Sequence, residues 1–289
     1  MRKMNPRYYH WQIAYRKKGE RTFRLIENPS YAWAADPFLV EYNGRLLLFA
    51  ELFLYRTERN GVIGYCEYNG SGFGRWQISM DEHWHLSYPN VFVENGKLFM
   101  IPESYQKNEV GIYELVEQPD KWIQRDVLFS NVKYVDTTFL DLDGITYLFM
   151  FEPTFKGNEG KLLMCRQNND GSFPAPVVLS EDKSLARPGG NFVRRGERLY
   201  RIGQDCEMSY GSALSVCQVD QVYPHYAERV VKKIEPSDIR LYTQREILGI
   251  HTYNELGGLE VIDVKYYHPT IGEALAAKRT RKVFLNKYE

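Results

Sequence analysis

The sequence has no excess of either charge: 37 Lys and Arg stand against 37 Asp and Glu. A nucleic-acid-binding domain normally gathers basic residues to neutralise phosphates, so that class of partner is not expected. No stretch approaches the ~18 consecutive apolar residues of a membrane span, so no spanning segment is expected either. The N-terminus, Met1-Arg2-Lys3-Met4-Asn5-Pro6, runs into Arg7-Tyr8-Tyr9-His10 where a secretion signal would place an apolar core. The expected location is the cytoplasm or another reducing compartment. Cysteine is scarce. Cys66, Cys165, Cys206 and Cys217 form no CxxC pair and no Cys/His group at zinc spacing. Three of them (Cys66, Cys165, Cys217) fall in apolar strand-like runs, where a thiol behaves as a small buried hydrophobe. Nucleophile-elbow, phosphate-loop, zinc-protease and dinucleotide-binding fingerprints are also missing, so no cofactor and no resident metal are expected.

What the chain does have is aromatic and strand-forming content. Of its 289 residues 44% are hydrophobic and 15% aromatic, with 22 Tyr and 15 Phe, residues suited to pleated, half-buried surfaces. That length suits one closed all-β domain, and no linker or compositional shift divides it.

Four segments align almost without gaps: Ala35–Gly44, Ser87–Gly96, Val135–Gly144 and Arg187–Gly196. Each reads as a strand running into a Gly-containing turn. Asn43-Gly44, Asn95-Gly96 and Asp143-Gly144 are strong hairpin signals, because Gly takes positive φ readily. The repeat starts lie 52, 48 and 52 residues apart, room for four short strands each. Second strands follow over 45–51, 97–103, 145–152 and 197–204, third strands over 61–66, 110–115, 161–165 and 212–217. A fourth set recurs near Trp76, Trp122, Pro176 and Arg229.

A fifth unit is split. Residues 249–264 supply its first two strands, and Trp11–Tyr15 with Phe23–Ile26 supply the third and fourth. The expected fold is an all-β, five-bladed propeller of four-stranded blades, its ring closed by N-terminal strands completing the last blade. Closure removes two sheet edges. The blades are expected at about 34–80, 86–128, 134–180, 186–234, and 249–267 joined to 10–27. Residues 268–289 read as a basic tail that packs outside the propeller or meets an anionic surface.

In a propeller the starts of first strands and the ends of second strands surround one opening. The starts here are Asp36, Tyr88, Asp136, Arg187 and His251. The ends are Glu51, Glu103, Glu152 and the pair Gln204-Asp205. Each charge alone reads equally as a solvated strand cap. Together they gather six carboxylates, an arginine and a histidine from distant sequence positions. Crowding and burial push carboxylate pKa values apart, which lets one site hold both a general acid and a general base. Asp36 and Asp136, at equivalent places two blades apart, are the sharpest pair. They suit binding of sugar hydroxyls or cleavage of a glycosidic bond.

Trp33, Tyr88 and Asn90 border the opening and are candidates for stacking on or hydrogen-bonding to a sugar. Arg187-Pro-Gly-Gly190 can cradle an anion through backbone N–H groups and the guanidinium, or can be only a tight strand start. His83-Trp84-His85 resembles a metal clip, with a packing role as the plainer alternative.

Ala35-Asp36-Pro37-Phe38 and Val135-Asp136, with the five-unit arithmetic, resemble the superfamily of glycoside hydrolase families 43, 32 and 68. As a set, Trp33–Phe38, Ser87-Tyr-Pro89, Pro102-Glu-Ser104, Asp136-Thr-Thr138, Arg187–Gly190 and Gly249–Thr252 are similar to a narrower family. That family is the propeller domain found N-terminal in plant glucosamine inositolphosphorylceramide transferases, with bacterial relatives, some fused to formyltransferase-like domains. The likeness covers about residues 10–267.

The wider resemblance implies that Asp36 acts as base or nucleophile and that Asp136 tunes and orients. It also implies a Glu as general acid at the start of blade four, where this sequence reads Leu185-Ala186-Arg187-Pro188. Glu103, then Asp205, are the substitutes expected for that role, with Glu51, Glu152, Arg187 and His251 binding substrate. The expectation is a glycosidase or transglycosidase. The alternative is a non-catalytic glycan- or nucleotide-sugar-binding propeller serving polysaccharide or glycolipid assembly. A carbohydrate or glycoconjugate is the expected ligand, and biosynthetic proteins are possible partners. A protein-interaction platform is the third reading, since propellers commonly serve that use.

Overall fold

A computed structural model describes residues 9–55, 61–117, 120–154 and 158–267. The basic tail expected over 268–289 lies outside the described residues. Strands β1 (Tyr9–Lys17) and β2 (Arg24–Leu25) come first in the chain. Blade one is β3 (Ala32–Tyr42), β4 (Arg45–Leu54), β5 (Gly61–Tyr68) and β6 (Gln77–Met80). Blade two is β7 (Ser87–Glu94), β8 (Lys97–Glu103), β9 (Glu109–Glu117) and β10 (Lys121–Ser130). Blade three is β11 (Val135–Leu142), β12 (Ile145–Pro153), β13 (Gly160–Arg166) and β14 (Val177–Ser180). Blade four opens on two short pieces, β15 (Arg187–Pro188) and β16 (Val193–Arg195). Both pair with β17 (Arg198–Asp205), which β18 (Ala213–Gln221) and β19 (Ala227–Ile234) follow. The last strands in sequence are β20 (Tyr253–Leu256) and β21 (Leu259–Tyr267).

The fifth sheet runs β20-β21-β1-β2, so the chain's beginning completes its final blade as expected. Tyr9 pairs with Tyr267 and Lys17 with Leu259, a full-length antiparallel seam. Only two short 3-10 turns, Tyr105–Lys107 and Pro236–Asp238, interrupt the all-β architecture among the described residues. None of the described helices is long and apolar enough to cross a membrane.

The hairpins form for the reason their sequences suggest. Asn43, Asn95 and Asp143 take φ of 51°, 50° and 55°, and the glycine after each is also positive. Two consecutive positive φ values make the turn whose twist matches the strands it joins.

The ring is held by a buried apolar layer between each pair of neighbouring blades. Ile13, Leu259 and Val261 of blade five meet Ala34, Leu48 and Leu52 of blade one. Phe38 and Phe49 meet Leu98 and Met100 of blade two, and Ile101 and Val110 meet Leu148 and Leu163 of blade three. Phe149 and Leu162 meet Leu199 and Val219 of blade four, and Ile202 and Leu214 meet Ile262 and Val264 of blade five. Each such side chain contributes about 1.5–3 kcal/mol by leaving water, so every interface is stabilised and no blade stands unpaired. All four cysteines are buried and free.

Candidate functional site

The first strands of blades one, two and three share one irregularity. Their pairing with the second strands shifts between Ala35 and Phe38, between Ser87 and Asn90, and between Val135 and Thr138. At each bulge a non-glycine residue takes positive φ: Asp36 at 52°, Tyr88 at 41° and Asp136 at 51°. Such backbone is strained for a side-chain-bearing residue and persists only where its surroundings enforce it. Bulges re-aim side chains, and here they turn three equivalent residues inward.

Tyr88 crosses the axis. Its hydroxyl accepts a hydrogen bond from the Gly190 N–H of blade four at 2.8 Å and is 2.9 Å from Thr138 Oγ1 of blade three. Thr138 in turn donates to the Asp136 carbonyl at 3.3 Å. Tyr88 therefore ties three blades together at the centre, with its own side chain fully buried. Asn90 does similar work: its Nδ2 donates to Asn191 Oδ1 at 2.6 Å and its Oδ1 accepts from Phe139 N–H at 3.1 Å. Both were candidates for sugar contact. Their polar atoms are committed to the protein.

Asp36 is 5% exposed and fully hydrogen-bonded. Thr252 Oγ1 donates to its Oδ1 at 2.9 Å, and the Tyr88 N–H donates to its Oδ2 at 3.3 Å. His251 Nε2 lies 3.5 Å from Asp36 Oδ1, while His251 Nδ1 lies 2.6 Å from Asp263 Oδ2. Asp263 also accepts from the backbone N–H groups of His251 and Thr252, at 2.9 and 3.0 Å. Burial pulls the imidazole pKa down, but Asp263 and Asp36 outweigh it and hold it above its ordinary value. Asp263 stays below its ordinary range, because His251 and the N–H donors overcome desolvation. Burial raises Asp36 to about 6, against the opposing pull of His251. The Trp11 indole stacks on His251 with ring centres 4.1 Å apart, so the N-terminal strand helps to fix the imidazole.

Asp36, His251 and Asp263 each present a ligand-type atom within 4.8 Å of the others. The neighbouring Asp263 and Asp36 carboxylates, which hold the imidazole above its ordinary pKa, favour His251 as a counter-ion between them.

On the other side Arg187 Nε donates to Asp136 Oδ2 in a very short contact, and Gln204 Nε2 reaches the same oxygen at 3.4 Å. Glu103, half-buried, is hydrogen-bonded to the Asp136 carboxyl. Burial and then the Asp136 charge push Glu103 up to about 8, with Arg187 opposing. Glu51 is raised well above its ordinary value by burial and by Asp36 and Glu103. His85, 3.6 Å from Glu51, is lowered to about 4 by burial, so its ring is neutral near neutral pH. His83 is exposed and Trp84 lies under Lys107, whose Nζ is 4.9 Å from the ring centre. The His83-Trp84-His85 segment thus turns its three side chains to different surroundings and makes no clip.

Two expected members sit elsewhere. Ala35 pairs with Glu51, Ser87 with Glu103, Val135 with Phe151 and Arg187 with Gln204. By that register the inward positions of blades three and four belong to Phe151 and Gln204. Glu152 and Asp205 are each one residue further on, and successive strand residues face opposite sides of a sheet. Asp205 is engaged by Lys233 Nζ at 2.6 Å and by the Glu207 N–H at 3.0 Å. It does not join the central group. Trp33 stacks flat on Phe53, ring centres 4.6 Å apart, on the rim of blade one.

The sequence reading also passed over Asp263, Thr252, Phe151 and Tyr210. Tyr210 closes the site above Arg187, whose guanidinium carbon lies 4.9 Å from its ring centre and 5.5 Å from that of Phe151. The available signal was Asp263 itself, a charge set between the apolar Val261-Ile262 and Val264. The backbone N–H groups of the Arg187–Gly190 segment do not form the anticipated cradle. Gly189 donates to Ile202 O at 2.9 Å, and Gly190 is held by Tyr88.

The fold is shared with solved five-bladed enzymes. The catalytic domain of a GH62 α-L-arabinofuranosidase from Coprinopsis cinerea superposes with a TM-score of 0.61 at 11% identity, over 89% of this chain and 97% of that one. An α-L-arabinofuranosidase from Podospora anserina, solved with cellotriose, gives 0.60 at 9%, over 91% and 98%. A family 43 α-L-arabinofuranosidase from Clostridium thermocellum gives 0.57 at 16%, over 83% and 84%. At such identities the likeness is one of fold.

Curated relatives are nearer in sequence. Glucosamine inositolphosphorylceramide transferase 1 of Oryza sativa subsp. indica is 34% identical over 202 residues, 66% of this chain and 26% of that protein. The Arabidopsis thaliana protein of the same name is 32% identical over 196 residues, 64% of this chain and 25% of that one. The chain thus aligns to about a quarter of the length of these relatives. The family model described as "Glucosamine inositolphosphorylceramide transferase 1, N-terminal" matches residues 24–238, from β2 through the end of blade four. The chain belongs to the glucosamine inositolphosphorylceramide transferase 1 N-terminal family.

Proposed function

We propose that this propeller is a carbohydrate-active protein whose central carboxylates act on a glycosidic bond, with Asp36 as base or nucleophile and Glu103 as acid. The observation that carries the reading is the split between those two groups in one buried cluster. Burial raises Asp36 to about 6 and Glu103 to about 8, so at neutral pH the first is mostly ionised and the second protonated. That is the pairing acid–base cleavage requires. Glu103 delivers its proton to the leaving oxygen as the glycosidic C–O bond breaks. Asp36 either takes a proton from the attacking water or attacks the anomeric carbon itself. Thr252, His251 and the Tyr88 N–H hold its carboxylate in place, and Asp136, paired with Arg187, orients Glu103.

Fold and kinship support a carbohydrate substrate: the solved neighbours include arabinofuranosidases, and the curated relatives are named glucosamine inositolphosphorylceramide transferases. Hydrolysis of a panel of aryl pentofuranosides and hexosides tests the assignment. The expected result is turnover that falls by at least about a hundredfold in Asp36→Asn and Glu103→Gln. Activity unchanged in Asp36→Asn overturns it.

A second reading is favoured by the start of blade four, where Arg187 stands in place of the acid of the resembling hydrolases. In it the propeller holds a glycan or nucleotide sugar without cleaving it and serves glycolipid or polysaccharide assembly with biosynthetic partners. A glycan array with a clear ligand, and no turnover of that ligand, decides for it. Four free, buried thiols suit a reducing compartment such as the cytoplasm.

A further inference from the structure

Arg187 is charged, half-buried and only partly used. Its side chain is 18% exposed, and its one hydrogen bond to a described residue runs from Nε to Asp136. The two terminal nitrogens have no hydrogen-bond partner among the described residues, and neither is a sealed, unsatisfied atom. They therefore keep some access to solvent. The guanidinium is held between Tyr210 and Phe151, 4.9 and 5.5 Å from their ring centres, so its orientation is set before any ligand arrives. A planar fork with two free donors, fixed by aromatic contacts, suits bidentate recognition of a planar or tetrahedral oxyanion.

Asp136 is already paired with Arg187, and burial raises Glu103 to about 8. A neutral Glu103 is also a donor, able to share the same oxyanion.

We infer that the sugar accepted at this site carries an anionic substituent, a carboxylate or a phosphate, that docks on the terminal nitrogens of Arg187. The inference rests on the central site being a carbohydrate site, as proposed above, but not on its being catalytic. A neutral sugar would leave the two guanidinium donors to water and gain nothing from their fixed orientation. An acidic sugar exchanges that water for two charge-assisted hydrogen bonds in a partly desolvated setting, where such bonds are strong.

The test is direct binding to the full chain by saturation-transfer NMR and calorimetry. The probes are D-glucose, D-glucuronate and D-glucose 6-phosphate, with their galacto counterparts. At least one acidic sugar is expected to bind at least about tenfold more tightly than its neutral parent, a gain that even one charge-assisted bond supplies. A preference for the uronates assigns the carboxylate; a preference for the phosphates assigns the phosphate. Arg187→Gln should erase the preference, and Arg187→Lys should restore only part of it, because an ammonium keeps the charge without the fork.

Neutral and acidic sugars binding equally, none of the six binding, or the preference surviving in Arg187→Gln each overturn the inference. The comparison among ligands uses the unaltered protein, so it stands even if a variant folds poorly. Turnover of neutral glycosides with no acidic preference removes this inference and leaves the catalytic reading. Acidic-sugar binding that depends on Arg187, without turnover of any glycoside, does the reverse.

Discussion

The backbone N–H of Asp36, in the first blade, donates to Asp263 Oδ2, in the last, at 3.0 Å. The seam where the ring closes therefore lies inside the candidate site. One carboxylate, Asp263, holds the strained backbone of Asp36 and the imidazole of His251 at once. Its loss should be felt by both.

Asp263→Asn removes the nearest negative charge from His251. Burial then dominates, and the His251 pKa should fall below its ordinary value of 6.5. NMR titration of the imidazole carbons checks this. An unchanged, elevated value in the variant would show that Asp36 alone supports the imidazolium.

Stability should fall as pH rises through the neutral range. Burial in the fold raises Glu103 from its ordinary 4.5 to about 8. A raised pKa means that the native state binds the proton more tightly, so this contribution is complete below 4.5 and lost as pH rises through about 8. The effect is on the order of a few kcal/mol, with Asp36 and Glu51 acting in the same direction. Denaturant unfolding of the protein and of Glu103→Gln across this window should give a flatter profile for the variant. It should also give higher stability than the parent at the alkaline end.

Tyr88→Phe removes one oxygen from the centre of the ring. The Gly190 N–H is then left without its acceptor, and Thr138 loses one of its two partners. A buried donor left unpaired costs about 1–3 kcal/mol, and equilibrium unfolding should show a loss of that size.

Gly190→Ala should be much worse. Gly190 has φ of +132°, and a methyl group there would lie 2.0 Å from the Tyr253 carbonyl oxygen. The obstacle is backbone, so relief requires moving blade five away from blade four. A destabilisation above about 3 kcal/mol, or failure to accumulate folded protein, is expected.

Arg201 is 1% exposed and holds both oxygens of Glu228, at 2.9 and 2.6 Å, with Leu185 O at 2.9 Å. It anchors the segment that leads to Arg187. Arg201→Met strands a carboxylate and should cost about 3–5 kcal/mol, whereas Arg201→Met combined with Glu228→Leu should recover much of the loss. A double-mutant cycle in unfolding free energy measures the coupling.

The repeat, the hairpins and the closure by N-terminal strands were legible in the chain because their causes are local. Asn-Gly and Asp-Gly at equivalent positions specify positive-φ turns wherever they occur, and apolar strand runs at even spacing demand a closed sheet stack. Asp36, Glu51, Glu103, Asp136, Arg187 and His251 were legible too, since strand ends on one face must meet around the axis. What only the tertiary structure decided is which neighbour in each strand faces inward. Phe151 and Gln204 are the residues that pair with Val135 and Arg187, so they take the inward places that Glu152 and Asp205 seemed to claim. The same holds for Asp263 and Tyr210, which acquire their roles only when blade five closes against blades one and four. A strand's side chains alternate with a period of two residues, so a single bulge exchanges the face of everything beyond it, and that choice is made by packing between blades.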